Sequence, residues 1–302
     1  MEARFPGHGS RAACMLKLSL VHDDCPQHSL SDLIGPAVEI WRTPEGEISA
    51  YGYTDNGQHW VHFPGLASFC FCKETEEVQA IPHRSVQYDM VYDVYLRSVV
   101  PLALQVHGTE VLHASAIHTS RGVVVFCAVS GTGKSTLAYG FSQKGYRVWA
   151  DDAVAFTATR EWVTALPLPA AIRLRPDAAI FFRDAHLNIS SRSTPAPITL
   201  EQEEPQPLLA LCLLDRTQEG HRKNGAAVEI VRVSSAQAFP RVLAHAYCFS
   251  LLDTRRKQRM VQQYLDLVAQ VPTYIVRFRA GLEHLAAIMN GLERTLKTIG
   301  RN

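Results

Sequence analysis

The sequence has little excess charge of either sign and no long apolar run. Its 302 residues carry 30 Lys and Arg against 29 Asp and Glu, a net charge of +1. No global electrostatic attraction to nucleic acid or to an anionic membrane is therefore expected. No stretch approaches the ~18 consecutive apolar residues of a membrane helix. The apolar stretch 15–21 is interrupted by Lys17 and lacks the cleavage site of a secretory signal. We expect a cytoplasmic protein with no nucleic-acid or membrane partner.

Cysteine and histidine also lack the spacing of a zinc site. The seven cysteines are an odd number scattered through apolar surroundings. Cys70 and Cys72 alternate as on a strand, but no second Cys/His pair completes a ligand set. His59 and His62 stand in a similar β-type pattern. In a reducing compartment such cysteines are core residues, so neither a disulfide framework nor a zinc site is predicted.

The patterning predicts a mixed α/β chain with a small N-terminal domain. Hydrophobic residues make up 47% of the chain, enough for a sizeable core. Residues 1–30 show little periodicity and are expected to be partly disordered. Residues 31–84 contain short apolar runs and a "DNG" hairpin signal, which indicate a small antiparallel sheet. A helix with a kink at Pro101 and an end at Gly108 opens a larger domain over 85–302.

The larger domain reads as strands and helices around one glycine-rich segment. Two β-rich runs joined by "TSRG" form a predicted hairpin that leads into this segment. A helix over about 135–143 follows, and then the strand "YRVWA". The polar, proline-rich stretch 187–207 is expected to be an exposed loop. A helix, a strand and a last helix cover about 254–299. The basic residues at the start of the first of these helices are predicted to form a solvated helix face; they are Arg255, Arg256, Lys257 and Arg259.

The glycine-rich segment has the composition of a phosphate-binding loop. "SGTGKST" stands between a predicted strand and a predicted helix, which is the context the motif requires. Glycines let backbone N–H groups turn towards an anion, and the helix N-terminus adds partial positive charge. Lys134 would reach the phosphates and Ser135 would supply a hydroxyl to Mg²⁺. Ala128 replaces the glycine that usually opens such a loop. The predicted nucleotide-binding residues are Ser130, Gly131, Thr132, Gly133, Lys134, Ser135 and Thr136.

Two adjacent aspartates end the strand after this loop. Asp151 follows Lys134 by 17 residues, and Asp152 is next to it. In a β–α–β unit this strand lies beside the strand that leads into the loop, and ligands gather at the carboxyl ends of such strands, so both carboxylates are expected near the phosphates. One can orient Mg²⁺ while the other accepts the proton of an attacking hydroxyl. His113, on the predicted hairpin, is a further catalytic candidate, and His118 is a weaker one.

The run "HASAIHTSRGVVVFCAVSGTGKSTLAYGFSQKGYRVWADDAVAF" resembles the catalytic core of HPr kinase/phosphorylase. In that family a histidine-bearing hairpin, a loop of the form SGxGKS and an "ADD" after a "KGxRV"-like segment follow in this order. A weaker likeness extends over roughly 85–280. The resemblance implies a fold of the HPr kinase and phosphoenolpyruvate carboxykinase type that uses ATP and Mg²⁺. It implies Asp151 as base, Asp152 and Ser135 at the metal, and His113 and Lys134 in support.

The resemblance also implies further contacts and a class of acceptor. Arg173 and Arg175, in "IRLRPD", would meet phosphate or substrate, or would be surface arginines beside a helix start. The segment of the type "EIRGLGI" in true HPr kinases is absent, and "SRSTPAPITLEQEEP" occupies that region. HPr is therefore not the expected substrate. Relatives that phosphorylate serine on lasso-peptide precursors suggest a serine-bearing peptide or protein. The N-terminal sheet could recognise it by strand addition. Related enzymes form rings, so a homo-oligomer is possible.

Two other interpretations stay open at this point. A small-molecule kinase would also have a loop like "SGTGKSTLA" followed by acidic strand ends. Such domains tend to begin near their loop, whereas here more than 120 residues precede it. A nucleotide-binding regulator that senses ATP without catalysing transfer is the other alternative. The acceptor, the choice of ATP over GTP and the assignment of the base between Asp151 and Asp152 are not decided by the sequence.

Overall fold

The computed structural model describes residues 16–21, 35–43, 45–168, 172–184, 204–217, 227–249 and 253–299. The chain divides into two compact units. Unit 1 is Met1–Gly108 with Gln202–Pro205, and unit 2 is Thr109–Glu201 with Gln206–Asn302. The sequence placed the boundary at 84/85 instead. No helix in the described part of the chain is both long enough and apolar enough to cross a membrane.

Unit 1 is built on a six-stranded sheet with the order β1-β6-β5-β4-β3-β2. Its strands are β1 (Lys17–Leu20), β2 (Glu39–Arg42), β3 (Ile48–Asp55), β4 (Gln58–Phe63), β5 (Ala67–Cys72) and β6 (Glu77–Pro82). β1 is parallel to β6 and the other pairs are antiparallel. The "DNG" hairpin is confirmed: Asn56 and Gly57 join β3 to β4 with φ of 46° and 82°. Positive φ at both central residues is the requirement of a type I′ turn.

The helical part of unit 1 is irregular just before Pro101. It consists of α1 (Tyr88–Val94), a π-helical turn (Tyr95–Val99) and α2 (Val100–Val106). Proline lacks an N–H and clashes with the carbonyl four residues earlier, and a π-helical turn is a common way to interrupt the ladder. The interruption that the sequence predicted at Pro101 therefore takes the form of a π-helical turn just before the proline. α2 packs against β5, and the Tyr95 hydroxyl donates to the Leu16 carbonyl, so this helical segment belongs to unit 1.

Two sequence expectations fall largely outside the described residues. Of the segment 1–30, expected to be partly disordered, only 16–21 are described, and Lys17–Leu20 form β1. Of the predicted loop over 187–207, only 204–207 are described. Gln206 and Pro207 belong to the start of β13 and not to a loop, since they pair with β12.

Unit 2 contains a nine-stranded sheet with helices around it. The described elements are β7 (Glu110–Leu112), β8 (Ala114–Thr119), β9 (Gly122–Cys127), α3 (Lys134–Ser142), β10 (Arg147–Ala150), β11 (Val154–Ala158), β12 (Val163–Leu166), α4 (Pro176–Asp184), β13 (Gln206–Thr217), β14 (Val228–Val233), α5 (Ser235–Leu243), α6 (Thr254–Gln270), β15 (Thr273–Arg279), a 3₁₀ turn (Leu282–His284) and α7 (Leu285–Thr298). The order is β10-β8-β9-β13-β12-β11-β7, with β15 beside β13 and β14 beside β15. The predicted hairpin (β8–β9), the helix near 135–143 and the final helix–strand–helix are confirmed.

Strand β9 is buried on both faces and therefore fixes where the glycine-rich loop begins. Its six residues are all buried. Val123, Val125 and Cys127 point into a core shared with Trp149, Tyr264 and Leu267. Val124 and Phe126 point into the opposite core with α3 and α7. A strand covered on both faces reads as a continuous apolar run, as "GVVVFC" does.

The sequence predicted that the strand ending at Ala150 lies directly beside β9. In the structure the two strands are not neighbours. β10 pairs antiparallel with β8, and β8 pairs antiparallel with β9. The hairpin before the loop inserts β8 between them. β10 and β9 nevertheless run in the same direction, so their carboxyl ends meet at one edge of the sheet. Asp151 therefore reaches the loop by a different topology from the one predicted.

The basic cluster on α6 is only partly a solvated face. Arg255, Lys257 and Arg259 are exposed, as expected. Arg256 instead forms a two-pronged ion pair with Glu110, through contacts of 2.7 and 3.0 Å between its Nη atoms and the carboxylate oxygens. The Glu110 side chain is 1% exposed and that of Arg256 is 12% exposed. The expectation was wrong for this residue because β7 brings a buried carboxylate beneath α6.

Candidate active site

The glycine-rich loop (residues 128–133) connects β9 to α3 and leaves the start of α3 open. Gly131 and Gly133 have φ of 81° and 113°, a conformation that side chains other than glycine rarely adopt. No side chain caps the first turn of α3. The N–H groups at a helix start have no partner within the helix. Together with the helix dipole, they make this turn suitable for an anion.

Lys134, the first residue of α3, is buried against the loop itself. Its side chain is 6% exposed, and its Nζ donates to the Ala128 carbonyl over 2.8 Å. Nζ also lies 3.2 Å from Nε2 of His113. Burial lowers the pKa of Lys134 from its ordinary value. Ala128 contributes only its backbone carbonyl to this contact, so the contact does not require glycine at this position.

The hydrogen bonds of His113 define one tautomer. Its Nδ1 lies 3.1 Å from the backbone carbonyl of Asp152, which can only accept a hydrogen bond. Nδ1 therefore carries the proton, and Nε2 presents its lone pair to Lys134. Burial, and next the charge of Lys134, lower the pKa of His113, which favours this neutral form. His113 thus connects the lysine of the loop to the main chain of the aspartate pair.

The Asp151 carboxylate lies between the hairpin and α3. Its Oδ1 accepts hydrogen bonds from the Ser115 hydroxyl at 2.6 Å and from the Ser135 hydroxyl at 2.8 Å. Its Oδ2 lies 3.4 Å from the backbone N–H of Arg173. Burial, followed by the charge of Asp152, raises the pKa of Asp151. The sequence paired Ser135 with Asp152, whereas the hydroxyl contacts Asp151.

Asp152 has an unusual backbone conformation that its neighbours stabilise. Its φ is 67°, in the left-handed region that costs a non-glycine residue about 1 kcal/mol or more. Its carbonyl is contacted by His113 Nδ1 and by the Tyr247 hydroxyl, the latter at 3.3 Å. Strained main chain of this kind persists where surrounding contacts fix it, and it occurs preferentially at functional sites.

The structure brings together most of the residues predicted from the sequence. Lys134, His113, Ser135, Asp151 and Asp152 form one connected set through the contacts above. Ser130, Gly131, Thr132 and Gly133 lie in the loop, and Thr136 lies in the first turn of α3. His118 is not part of the set: it pairs with Arg147 near the other end of β8 and packs on Trp149 at 5.7 Å.

Four residues of the site were not identified from the sequence. Ser115 had a usable signal, because it lies two residues after His113 in a β-type run and so on the same face. Arg216, near the end of β13, donates to the Gly131 carbonyl. His245 and Tyr247 reach the site through an isolated bridge between Leu112 and Ala246, a long-range contact without a local pattern. Burial, and next the charges of Lys134 and His113, lower the pKa of His245 to about 4.

The donor set fits a magnesium ion that is bound largely through phosphate. Within the described ranges, no group of three or more His, Cys, Asp or Glu residues could hold a metal ion. Mg²⁺ in phosphoryl-transfer sites commonly takes one or two protein oxygens, and phosphate and water supply the rest. The hydroxyl of Ser135 and the carboxylates of Asp151 and Asp152 are oxygen donors of the right type. These residues would hold the ion.

Comparisons with known proteins give one distant likeness. No protein-family model matches the chain, and no curated protein matches it. Among solved structures, the chain is similar to the Hpr(Ser) kinase/phosphatase from Coxiella burnetii. That match covers 63% of this chain and 99% of the other, with 11% sequence identity and a TM-score of 0.34. At a TM-score this low, the match carries no argument about what this chain does.

Proposed function

We propose that the protein is an ATP-dependent kinase that transfers the γ-phosphoryl group to a serine hydroxyl of a peptide or protein. The observation that supports it best is the hydrogen bond between Ser135 and Asp151 at the start of α3. A loop hydroxyl and a carboxylate at the end of a strand are the two groups that hold Mg²⁺ in one large class of phosphoryl-transfer enzymes. Here they stand beside an uncapped helix start and a buried lysine.

The chain's own groups supply binding, charge and a base. The open N–H groups of α3 and the loop would bind the phosphates, and Lys134 would leave the Ala128 carbonyl to reach them. Bound Mg-ATP supplies the phosphoryl group. Phosphoryl transfer requires little covalent chemistry from the protein, so positioning and electrostatics carry most of the rate. This division of work agrees with a site composed of one lysine, two carboxylates and backbone donors.

The two aspartates would divide the remaining tasks. In the proposed assignment Asp151 accepts the proton of the serine hydroxyl, and Asp152 assists the metal with Ser135. Burial raises the pKa of Asp151, and a base whose pKa is nearer the working pH is more effective. The hydrogen bond from Ser135 favours the reverse assignment, in which Asp151 holds the metal.

A magnesium titration separates these assignments. If an aspartate is the base, its Asp→Asn variant should have a lowered kcat at every Mg²⁺ concentration. If an aspartate holds the metal, its Asp→Asn variant should recover part of its activity as the Mg²⁺ concentration is raised. Recovery by the Asp151→Asn protein would exchange the two roles.

The acceptor class follows from the family resemblance and not from the site. A serine near the end of a ribosomally made precursor peptide, of the lasso type, is the proposed acceptor. The edge strands of the unit 1 sheet, β1 and β2, offer backbone groups to which an extended peptide could pair. A small-molecule acceptor would give transfer without any peptide. A regulator would bind Mg-ATP and transfer nothing.

Binding and transfer measured together test the proposal. Wild-type protein and three variants are given Mg-ATP, and binding is measured by calorimetry. Transfer of ³²P to peptides encoded beside the gene is measured in parallel. Asp151→Asn should bind Mg-ATP and transfer no phosphate, whereas Lys134→Ala should lose both. Asp89→Asn, an exposed aspartate of α1, is the control and should behave as wild type. Normal transfer by the Asp151→Asn protein would refute the assignment of this site.

A further inference from the structure

Two arginines from different elements converge on one residue of the glycine-rich loop. Arg216 Nη1 donates to the Gly131 carbonyl over 3.2 Å. A Cβ added to Gly131 would lie 3.0 Å from Nη2 of Arg175, so that guanidinium rests on the glycine. Both arginines are exposed. Arg175 immediately precedes α4, and Arg216 is the penultimate residue of β13.

The sheet register explains why Arg216 reaches the loop. β13 runs parallel to β9, and Leu213 is opposite Cys127, the last residue of β9. β13 continues to Thr217, so it extends past the end of its neighbour. Arg216 therefore lies alongside the loop that follows Cys127. The position comes from the length and register of a buried strand and not from a flexible surface segment.

The two arginines at Gly131 place two positive charges beside the loop. Within the described part of the chain, no carboxylate forms an ion pair with Arg175 or Arg216, although Asp215, next to Arg216, pairs with Arg277. Two guanidinium groups beside one residue repel each other, whereas the charge of Lys134 interacts with Asp151 and Asp152. Such an arrangement is stabilised when an anion binds between the cations. The bond to the Gly131 carbonyl uses one of the five N–H donors of Arg216, so four remain.

The geometry points to a subsite for the terminal phosphoryl group: we propose that Arg175 and Arg216 bind the γ-phosphate of ATP and thereby distinguish ATP from ADP. This inference rests on the proposed function. The helix start and the loop N–H groups serve the inner phosphates and Lys134 reaches the β- and γ-phosphates, whereas the two arginines lie on the exposed side of the loop at Gly131. Planar guanidinium groups bind phosphate oxygens in pairs. Arginines placed at the transferred group within the same chain stabilise its charge in one class of nucleotide enzymes.

Parallel affinities for Mg-ATP and Mg-ADP test the proposal. Arg216→Ala should weaken Mg-ATP binding roughly 10- to 100-fold, the loss of one or two charge-assisted hydrogen bonds, and should leave Mg-ADP within about twofold. Arg175→Ala should also weaken Mg-ATP binding more than Mg-ADP binding. This second variant keeps the proposal testable if the Arg216→Ala protein does not fold. Calorimetry at constant ionic strength gives both constants. Arg294→Ala, an exposed arginine on α7, is the matched control and should change neither.

Each other outcome overturns the proposal in a distinguishable way. Equal losses for ATP and ADP would show that the arginines only brace the loop. No loss for either nucleotide would show that they do not contact phosphate. Wild-type protein that binds neither nucleotide would refute the proposed function and this inference together. If the wild-type protein binds both Mg-ATP and Mg-ADP, and the ratio of the two affinities is unchanged in the Arg216→Ala protein, this inference alone is refuted.

Discussion

Replacement of Arg256 by alanine is expected to destabilise unit 2 strongly. The substitution leaves the carboxylate of Glu110, whose side chain is 1% exposed, without the guanidinium that contacts both its oxygens. Removal of one partner from a buried ion pair typically costs about 3–5 kcal/mol, because an uncompensated charge stays buried. For a unit of this size each kcal/mol lowers the Tm by roughly 2–4 °C, so a fall of about 6–20 °C is expected.

The assay is thermal and urea unfolding followed by far-ultraviolet circular dichroism. Lys257→Ala, an exposed residue one position further along α6, is the control and should change the free energy of unfolding by about 0.5 kcal/mol or less. The double variant Glu110→Gln, Arg256→Met should be more stable than Arg256→Ala, because no unpaired charge stays buried. The reasoning fails if Arg256→Ala is no more destabilising than Lys257→Ala.

Three further predictions concern the site. Ser115→Ala should lower kcat roughly 10- to 100-fold, because the fully buried hydroxyl makes a 2.6 Å hydrogen bond to the Asp151 carboxylate. Tyr247→Phe should lower kcat roughly 2- to 10-fold and leave Mg-ATP affinity within about twofold, because the hydroxyl's contacts with the Asp152 carbonyl and with Nδ1 of His113 are lost. His245, with a pKa of about 4 in the folded protein, takes up its proton near its ordinary value when unfolded. The free energy of unfolding should therefore fall by about 1–2 kcal/mol as the pH falls from about 6.5 to about 4. This figure is discounted because the His245 side chain is partly exposed. His245→Asn should reduce this pH dependence.

Controls and contrary outcomes are specific to each of these. Ser142→Ala, at the end of α3 where the hydroxyl contacts the Tyr139 carbonyl and the adjacent Gln143 side chain, should keep wild-type kcat. A similar loss in both serine variants would show a general effect of removing a hydroxyl and not the loss of the bond to Asp151. A loss of Mg-ATP binding in Tyr247→Phe would contradict a role in which Tyr247 acts through Asp152 and His113. The exposed His83 gives the control His83→Asn for the acid slope, and an unchanged slope in His245→Asn would exclude His245 as its source.

Local patterns in the sequence were sufficient for the loop and its surroundings. The continuous apolar run of β9, the glycines, Lys134 and the start of α3 are all encoded within a short segment. The hairpin at Asn56–Gly57 is equally local, because Asn-Gly is one of the few dipeptides that readily adopt positive φ at both positions. These elements depend on backbone conformation and burial, which neighbouring residues determine.

Long-range contacts explain what was missed. Nothing near Arg256 in the sequence indicates Glu110, which is 146 residues away. Tyr247 and Arg216 reach the site only because a β-bridge and an extended strand bring them there. The sequence also assumed a simple β–α–β order, in which β10 would lie beside β9. The preceding hairpin inserted β8 between them instead. Strand order depends on the packing of the whole sheet, which local periodicity does not encode.

Tandem mass spectrometry of the acceptor tests the central claim most directly. Wild-type and Asp151→Asn protein are incubated with Mg-ATP and the short peptides encoded beside the gene. The account predicts a phosphoserine on one of these peptides with the wild-type protein and none with the variant. Tight binding of Mg-ATP without transfer to any peptide would contradict a peptide kinase.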